Sequence, residues 1–139
     1  MIIFSVDYGK ARTGLAVCDK NEIIATPVGV ITEYNMEKLS DKVADSAVEH
    51  HAELIVVGLP LNMNGSEGDS AENVRIFSEM LENKTGIEVK LWDERCTTVT
   101  AHKYLNMTDT RGKKRKAVVD SVAAVIILED YLNFRRNNK

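Results

Sequence analysis

The order of apolar segments in this 139-residue chain predicts an α/β domain, a mixed five-stranded sheet flanked by helices. Two observations carry that expectation. Three short apolar runs follow one another between Ile2 and Ile31 with only turn-forming residues between them, as in an antiparallel meander. Beyond them, segments of helical periodicity alternate with apolar runs too short for helices, as in βαβ crossovers that add two parallel strands.

Ile2 to Asp7 is an apolar run closed by Tyr8-Gly9-Lys10, a buried strand and its turn. Arg12 to Cys18 reads as the second strand, and Asp19-Lys20-Asn21 turns into a third, Glu22 to Ile31. Pro27 cannot donate to a ladder, so this third strand belongs at an edge. Met36, Leu39, Val43 and Ala47 recur at helical spacing and predict a helix from Asn35 to His51. Its other side carries Glu37, Asp41, Asp45 and Glu49, a solvated face. Leu54 to Val57 is a continuous apolar strand closed by Gly58-Leu59-Pro60. Val74, Phe77 and Leu81 mark a helix from Ser70 to Asn83, ended by Thr85-Gly86. Glu88 to Trp92 is the next strand, with Trp92 in the core. Thr97 or Thr98 can cap a helix to Met107. Lys116 to Phe134 is the last helix, with Val119, Val122, Ala123, Ile126 and Ile127 as its apolar face. Neither a repeat nor a linker interrupts residues 1–139, which read as a single domain.

Composition narrows the function classes. A hydrophobic fraction of 44% and a charged fraction of 28% are those of a globular protein with an ordinary core. The net charge of -3 gives no global argument for nucleic-acid binding, so any such claim rests on local patches. Cys18 and Cys96 are isolated thiols, expected to be reduced and outside any disulfide or zinc site. No apolar run approaches the roughly 20 residues of a membrane span, and no basic leader precedes the first strand, so a cytoplasmic protein is expected. His50, His51 and His102 lack metal-ligand spacing and a nucleophilic partner.

Three carboxylates remain: Asp7, Glu94 and Asp120. Each stands at the edge of an apolar segment, where charge is costly unless a cation or partner meets it. Widely separated acids of this kind suit a divalent-metal phosphodiesterase site. Each also has a plainer account. Asp7 could cap its hairpin turn. Asp93 and Glu94 must face opposite ways on a strand, and both could lie in a surface turn, one paired with Arg95. Asp120 could simply favour the start of the last helix, although Ala123 and Ala124 one turn on would leave room beside it. Gly9 and Gly14 permit close approach of a backbone or a phosphate, and Arg12 and Thr13 could donate to phosphate oxygens. The loop Gly58 to Gly68 is rich in Gly and Asn and could cradle phosphate with the next helix, but it lacks Gly-Lys-Ser/Thr. Arg111, Lys113, Lys114, Arg115 and Lys116 concentrate five of the eighteen basic residues just ahead of Asp120.

In order along the chain, Asp7-Tyr-Gly-Lys-Ala-Arg-Thr-Gly14, Gly58-Leu-Pro-Leu-Asn-Met-Asn-Gly65, Trp92-Asp-Glu-Arg-Cys-Thr-Thr98, the basic segment and Val119-Asp-Ser-Val-Ala-Ala124 resemble the YqgF/RuvX family. Its members are Holliday-junction-resolvase-like proteins, also described as pre-16S rRNA nucleases. The resemblance implies an RNase H-like fold. It also implies an acidic triad of Asp7, Glu94 and Asp120, catalytic and metal-binding, with one or two Mg2+ or Mn2+ ions. Expected substrate contacts are Gly9, Arg12, Thr13, Asn64, Arg95, Thr97, Thr98, Arg111, Lys113, Lys114, Arg115 and Lys116. Tyr8 departs from the family, which often has an aliphatic residue there, as does Cys96 before the Thr pair.

The expected activity is therefore metal-dependent phosphodiester hydrolysis in 5′-end maturation of pre-16S rRNA, with nucleic acid and possible ribosomal precursor particles as partners. Resolution of branched DNA is the alternative within the same chemistry. A non-catalytic RNA-binding or transcription-associated factor is the alternative outside it. An actin-like phosphotransferase, suggested by the first hairpin, would need a second lobe that this chain is too short to supply. Oligomeric state is not legible in the sequence.

Overall fold

The computed structural model describes residues 1–60, 68–93 and 112–137, with the backbone alone at 69 and 112–121. Strands β1 (Ile3–Asp7), β2 (Arg12–Cys18) and β3 (Ala25–Thr32) form the meander, followed by α1 (Met36–Glu49), β4 (Leu54–Leu59), α2 (Asp69–Thr85), β5 (Val89–Asp93) and α3 (Gly112–Asn137). The sheet order is β3-β2-β1-β4-β5. β1 pairs antiparallel with β2 and β2 with β3, whereas β4 pairs parallel with both β1 and β5. The mixed sheet expected from the element order is the one observed. The expected helix beginning at Thr97 or Thr98 lies outside the described residues.

Strand alternation divides the core in two. Phe4, Val6, Leu15, Ile55 and Val57 face α1 and α2, meeting Leu39, Val43, Val74, Phe77 and Leu81. Ile3, Ala16, Cys18, Leu54 and Val56 face α3, meeting Ala124, Ile127, Leu128, Tyr131 and Leu132. The buried stripe of α3 is therefore broader than the expected one, while Val122 is only half-buried. Trp92 is half-buried too, its ring edge-on to Tyr131 at 5.4 Å and beside Phe134 at 5.3 Å.

Local chemistry accounts for the boundaries. The Asp19 carboxylate accepts from the N–H groups of Ile23 and Ile24 at 2.8 and 3.0 Å. That Asx-type turn holds residues 22–24 out of the ladder, so β3 starts at Ala25 and not at the expected Glu22. Pro27 does lie on an edge strand, beside a register shift opposite Leu15 and Ala16. The Asn35 side chain accepts from Lys38 N–H at 2.9 Å and caps α1. Gly86, at φ 71°, ends α2 in the left-handed region. β4 continues through Gly58 and Leu59, which pair with Trp92 and Asp93, beyond the expected end at Val57. Cys18 is buried and free. Among the described residues, no helix is long and apolar enough to cross a membrane.

Candidate active site

The C-terminal ends of β1, β4 and β5 share one edge of the sheet because all three are parallel. Open α/β sheets bind ligands at such an edge. Asp7 is the last residue of β1, and alternation from Ile3 and Ser5 turns it toward the α3 side. Its partner on β2 is Gly14. On the other flank, Val6 pairs with Val57, so the next residue of β4, Gly58, stands level with Asp7 and pairs in turn with Trp92. Both lateral neighbours of Asp7 thus lack a side chain, in positions where cross-strand Cβ atoms would otherwise stand about 5 Å away. The aspartate lies in a trough walled on one side by Trp92. Gly14 was legible as a residue of close approach. Gly58 reads in the sequence as the close of its strand, and only the register shows it beside Asp7.

Arg12 shares this face. Alternation along β2 puts Arg12, Gly14, Ala16 and Cys18 on the α3 side, and Ala16 and Cys18 are indeed buried there. Arg12 is half-buried at the same edge as Asp7. Thr13 points the other way and is fully buried. Its hydroxyl accepts from Gly9 N–H and donates to the Gly9 carbonyl, both at 3.3 Å, which braces the hairpin turn. Gly9 itself is confined by the backbone, since a Cβ there would meet the Arg12 carbonyl oxygen at 2.1 Å.

Asp120 is the ninth residue of α3, more than two turns from its start at Gly112. The expected helix start at Lys116 is corrected by one turn, and with it the explanation of Asp120 by the helix dipole, which fades beyond the first turn. The basic residues 113–116 lie within α3 and not before it. α3 runs antiparallel to β1. Ser5 Oγ donates to the Ala124 carbonyl at 2.7 Å, and further along the helix Arg135 bonds Glu22, which also holds the Met1 amine. Asp120 precedes Ala124 by one turn, on the side of the Ser5–Ala124 bond away from Arg135, and Asp7 follows Ser5 on the side away from Met1. Ala124 is fully buried, and its smallness lets α3 approach Ser5 and Ala16.

Asp93 ends β5 and is exposed, on the side opposite Trp92. Glu94, Asn64, Arg95, Thr97, Thr98 and Arg111 lie outside the described residues. No group of three or more His, Cys, Asp or Glu capable of holding a metal occurs among the described residues, a set that excludes Glu94 and the Asp120 side chain.

A five-stranded mixed sheet with an acid at the end of its central strand defines the class. Over 99% of this chain and 97% of that one, the structure resembles Thermus thermophilus RuvC, with a TM-score of 0.61 at 12% identity. The same protein in complex with a Holliday junction substrate also gives 0.61. At this identity the likeness concerns the fold. The family follows from sequence: residues 1–134 match the model for RuvX, described as Holliday junction resolvase, and the chain belongs to that family. A relative from Agathobacter rectalis is 37% identical over 100% of this chain and 99% of its own length. One from Halothermothrix orenii is 41% identical over 97% and 96%. Both bear the name "Putative pre-16S rRNA nuclease".

Proposed function

We propose that the chain is a metal-dependent nuclease that hydrolyses phosphodiester bonds in RNA, in 5′-end maturation of pre-16S rRNA, with Asp7, Glu94 and Asp120 as its acidic triad. The observation that carries this is the setting of Asp7, at a strand end between two glycine positions, on the face of the sheet that α3 covers. The relatives' name supplies the substrate.

Hard carboxylate oxygens fit Mg2+ or Mn2+. When bound, such a cation would lower the pKa of a coordinated water and offset charge on the phosphate. The protein's own part is to hold the acids at the sheet edge and to neutralise the flanking phosphates. Arg12, Arg95, Arg111, Lys113, Lys114, Arg115 and Lys116 serve the second task, and Gly9, Asn64, Thr97 and Thr98 are the further proposed substrate contacts. Thr13 supports them from beneath, through the hairpin turn. Ribosomal precursor particles in the cytoplasm are the natural setting for such an activity.

The family description favours a second reading, resolution of branched DNA, by the same residues. Cleavage of single-stranded pre-16S precursor RNA and of four-way DNA junctions, each with Mg2+ or Mn2+, separates the two. Wild type should cut the RNA and Asp7→Asn should not. Cleavage of the junction alone would move the assignment to DNA. If wild type cuts neither but binds RNA equally well with and without Asp7, the chain is a non-catalytic binding factor.

A further inference from the structure

Ser5 is fully buried on the α3 side of β1, and its hydroxyl donates to the Ala124 carbonyl at 2.7 Å. That carbonyl lies inside a helix, where the amide four residues on already supplies a donor. Nor does packing require the hydroxyl, since Ala16 and Ala124 around it are apolar and small. What the bond does fix is the height of α3 along β1. Asp7 lies two residues beyond Ser5, about 6.6 Å along the strand. Asp120 lies four residues before Ala124, about 6 Å along the helix. Because the two elements run in opposite directions, both acids fall on the same side of the bond, each within about 7 Å of it along its own element. A slip of one strand residue would part them by about 3.3 Å, whereas a metal site tolerates roughly 0.5 Å.

We propose that Ser5 is a positioning residue, whose hydrogen bond to Ala124 sets the register between β1 and α3 at which Asp7 and Asp120 share one divalent cation. This rests on the triad proposed above and is tested apart from it. Mn2+ alone is titrated calorimetrically into wild type, Ser5→Ala, Asp7→Asn and Val56→Ala, with the thermal midpoint of each recorded. Val56 is buried on the same face and pairs with Ser5, so Val56→Ala loosens the packing without touching the bond. Ser5→Ala should weaken Mn2+ binding about 10- to 100-fold, as losing the support of a ligand does. Its midpoint should fall no further than that of Val56→Ala, which should bind Mn2+ as wild type does. If Ser5→Ala does not fold, Ser5→Cys, a weak donor of similar size, takes its place with the same expectation. Wild-type affinity in the Ser5 variant beside lost affinity in Asp7→Asn overturns the positioning role and leaves the site standing. Equal loss in Ser5→Ala and Val56→Ala overturns it as well, in favour of general softening. Failure of wild type to bind Mn2+, or wild-type binding by Asp7→Asn, overturns the site and the role together.

Discussion

A methyl group on Gly9 would stand 2.1 Å from the Arg12 carbonyl oxygen, so alanine there must force the β1–β2 hairpin open. Gly9→Ala should cost about 1–3 kcal/mol, the usual penalty for an unaccommodated carbon, read as a lower urea midpoint with unchanged slope. An unchanged midpoint would mean that the turn relaxes freely. The sequence marked Gly9 as a place of close approach, but only the folded turn decides between a phosphate and the chain's own backbone. Glu22 was less legible still, read as the start of a strand. It stands in a left-handed turn at φ 58° and takes Arg135 at 2.6 Å and the Met1 amine at 3.0 Å. The Arg135 guanidinium first, and the amine second, hold its carboxyl down at about 2. A depressed carboxylate stabilises the fold above its unfolded value near about 4.3, and that contribution drains away as pH falls toward the folded value. Glu22→Gln should therefore be less stable than wild type at pH 6, by on the order of 1–2 kcal/mol, since both partners keep some contact with water. The gap should be nearly closed at pH 2 and vanish below it in urea melts. A pH-independent gap would assign the loss to packing.

At the scale of the element, what could be read ahead followed from periodicity and caps. Asn35 was the expected start of α1, and its side chain does bond Lys38 N–H. Asn35→Ala should cost about 1 kcal/mol, measurable by thermal melting, and Asn35→Ser should restore most of it. The same rules failed at α3, whose first turn is basic where the dipole favours acids. A run of Lys and Arg reads as a basic segment between two helices, which puts the expected helix start one turn late. That error mattered for the site, because it made Asp120 a first-turn residue with a ready electrostatic excuse. Two turns in, Asp120 has none, and its proposed place beside Asp7 depends on long-range packing that sequence spacing cannot express. Gly58 was hidden for the same reason, since its importance lies in which strand it neighbours.

For the molecule as a whole, the sheet order could be deduced because a meander followed by crossovers leaves few ways to pair five strands. Partner choice is the harder matter, because the chain carries a net charge of -3 and still is proposed to bind a polyanion. Attraction must then come from the arrangement of charge. The four acids along α1 are exposed on the side of the sheet away from α3, whereas residues 113–116 start the helix that leads to Asp120. Each phosphate neutralised on a single strand contributes about 0.7 to the slope of log K against log salt. Replacing Lys113, Lys114 and Lys116 with Gln should reduce the slope for single-stranded RNA by about 2 and weaken binding uniformly across sequences. Replacing Lys20, Lys38 and Lys42 changes the net charge equally. The exposed Lys42–Glu33 pair among them is worth little, so the slope should barely move. Asp7→Asn should keep the wild-type slope, because it removes a carboxylate from the cutting site and no cation from the track. Equal losses from the two lysine triples would show that affinity follows net charge alone and that the basic start of α3 has no special part in bringing RNA to the acids.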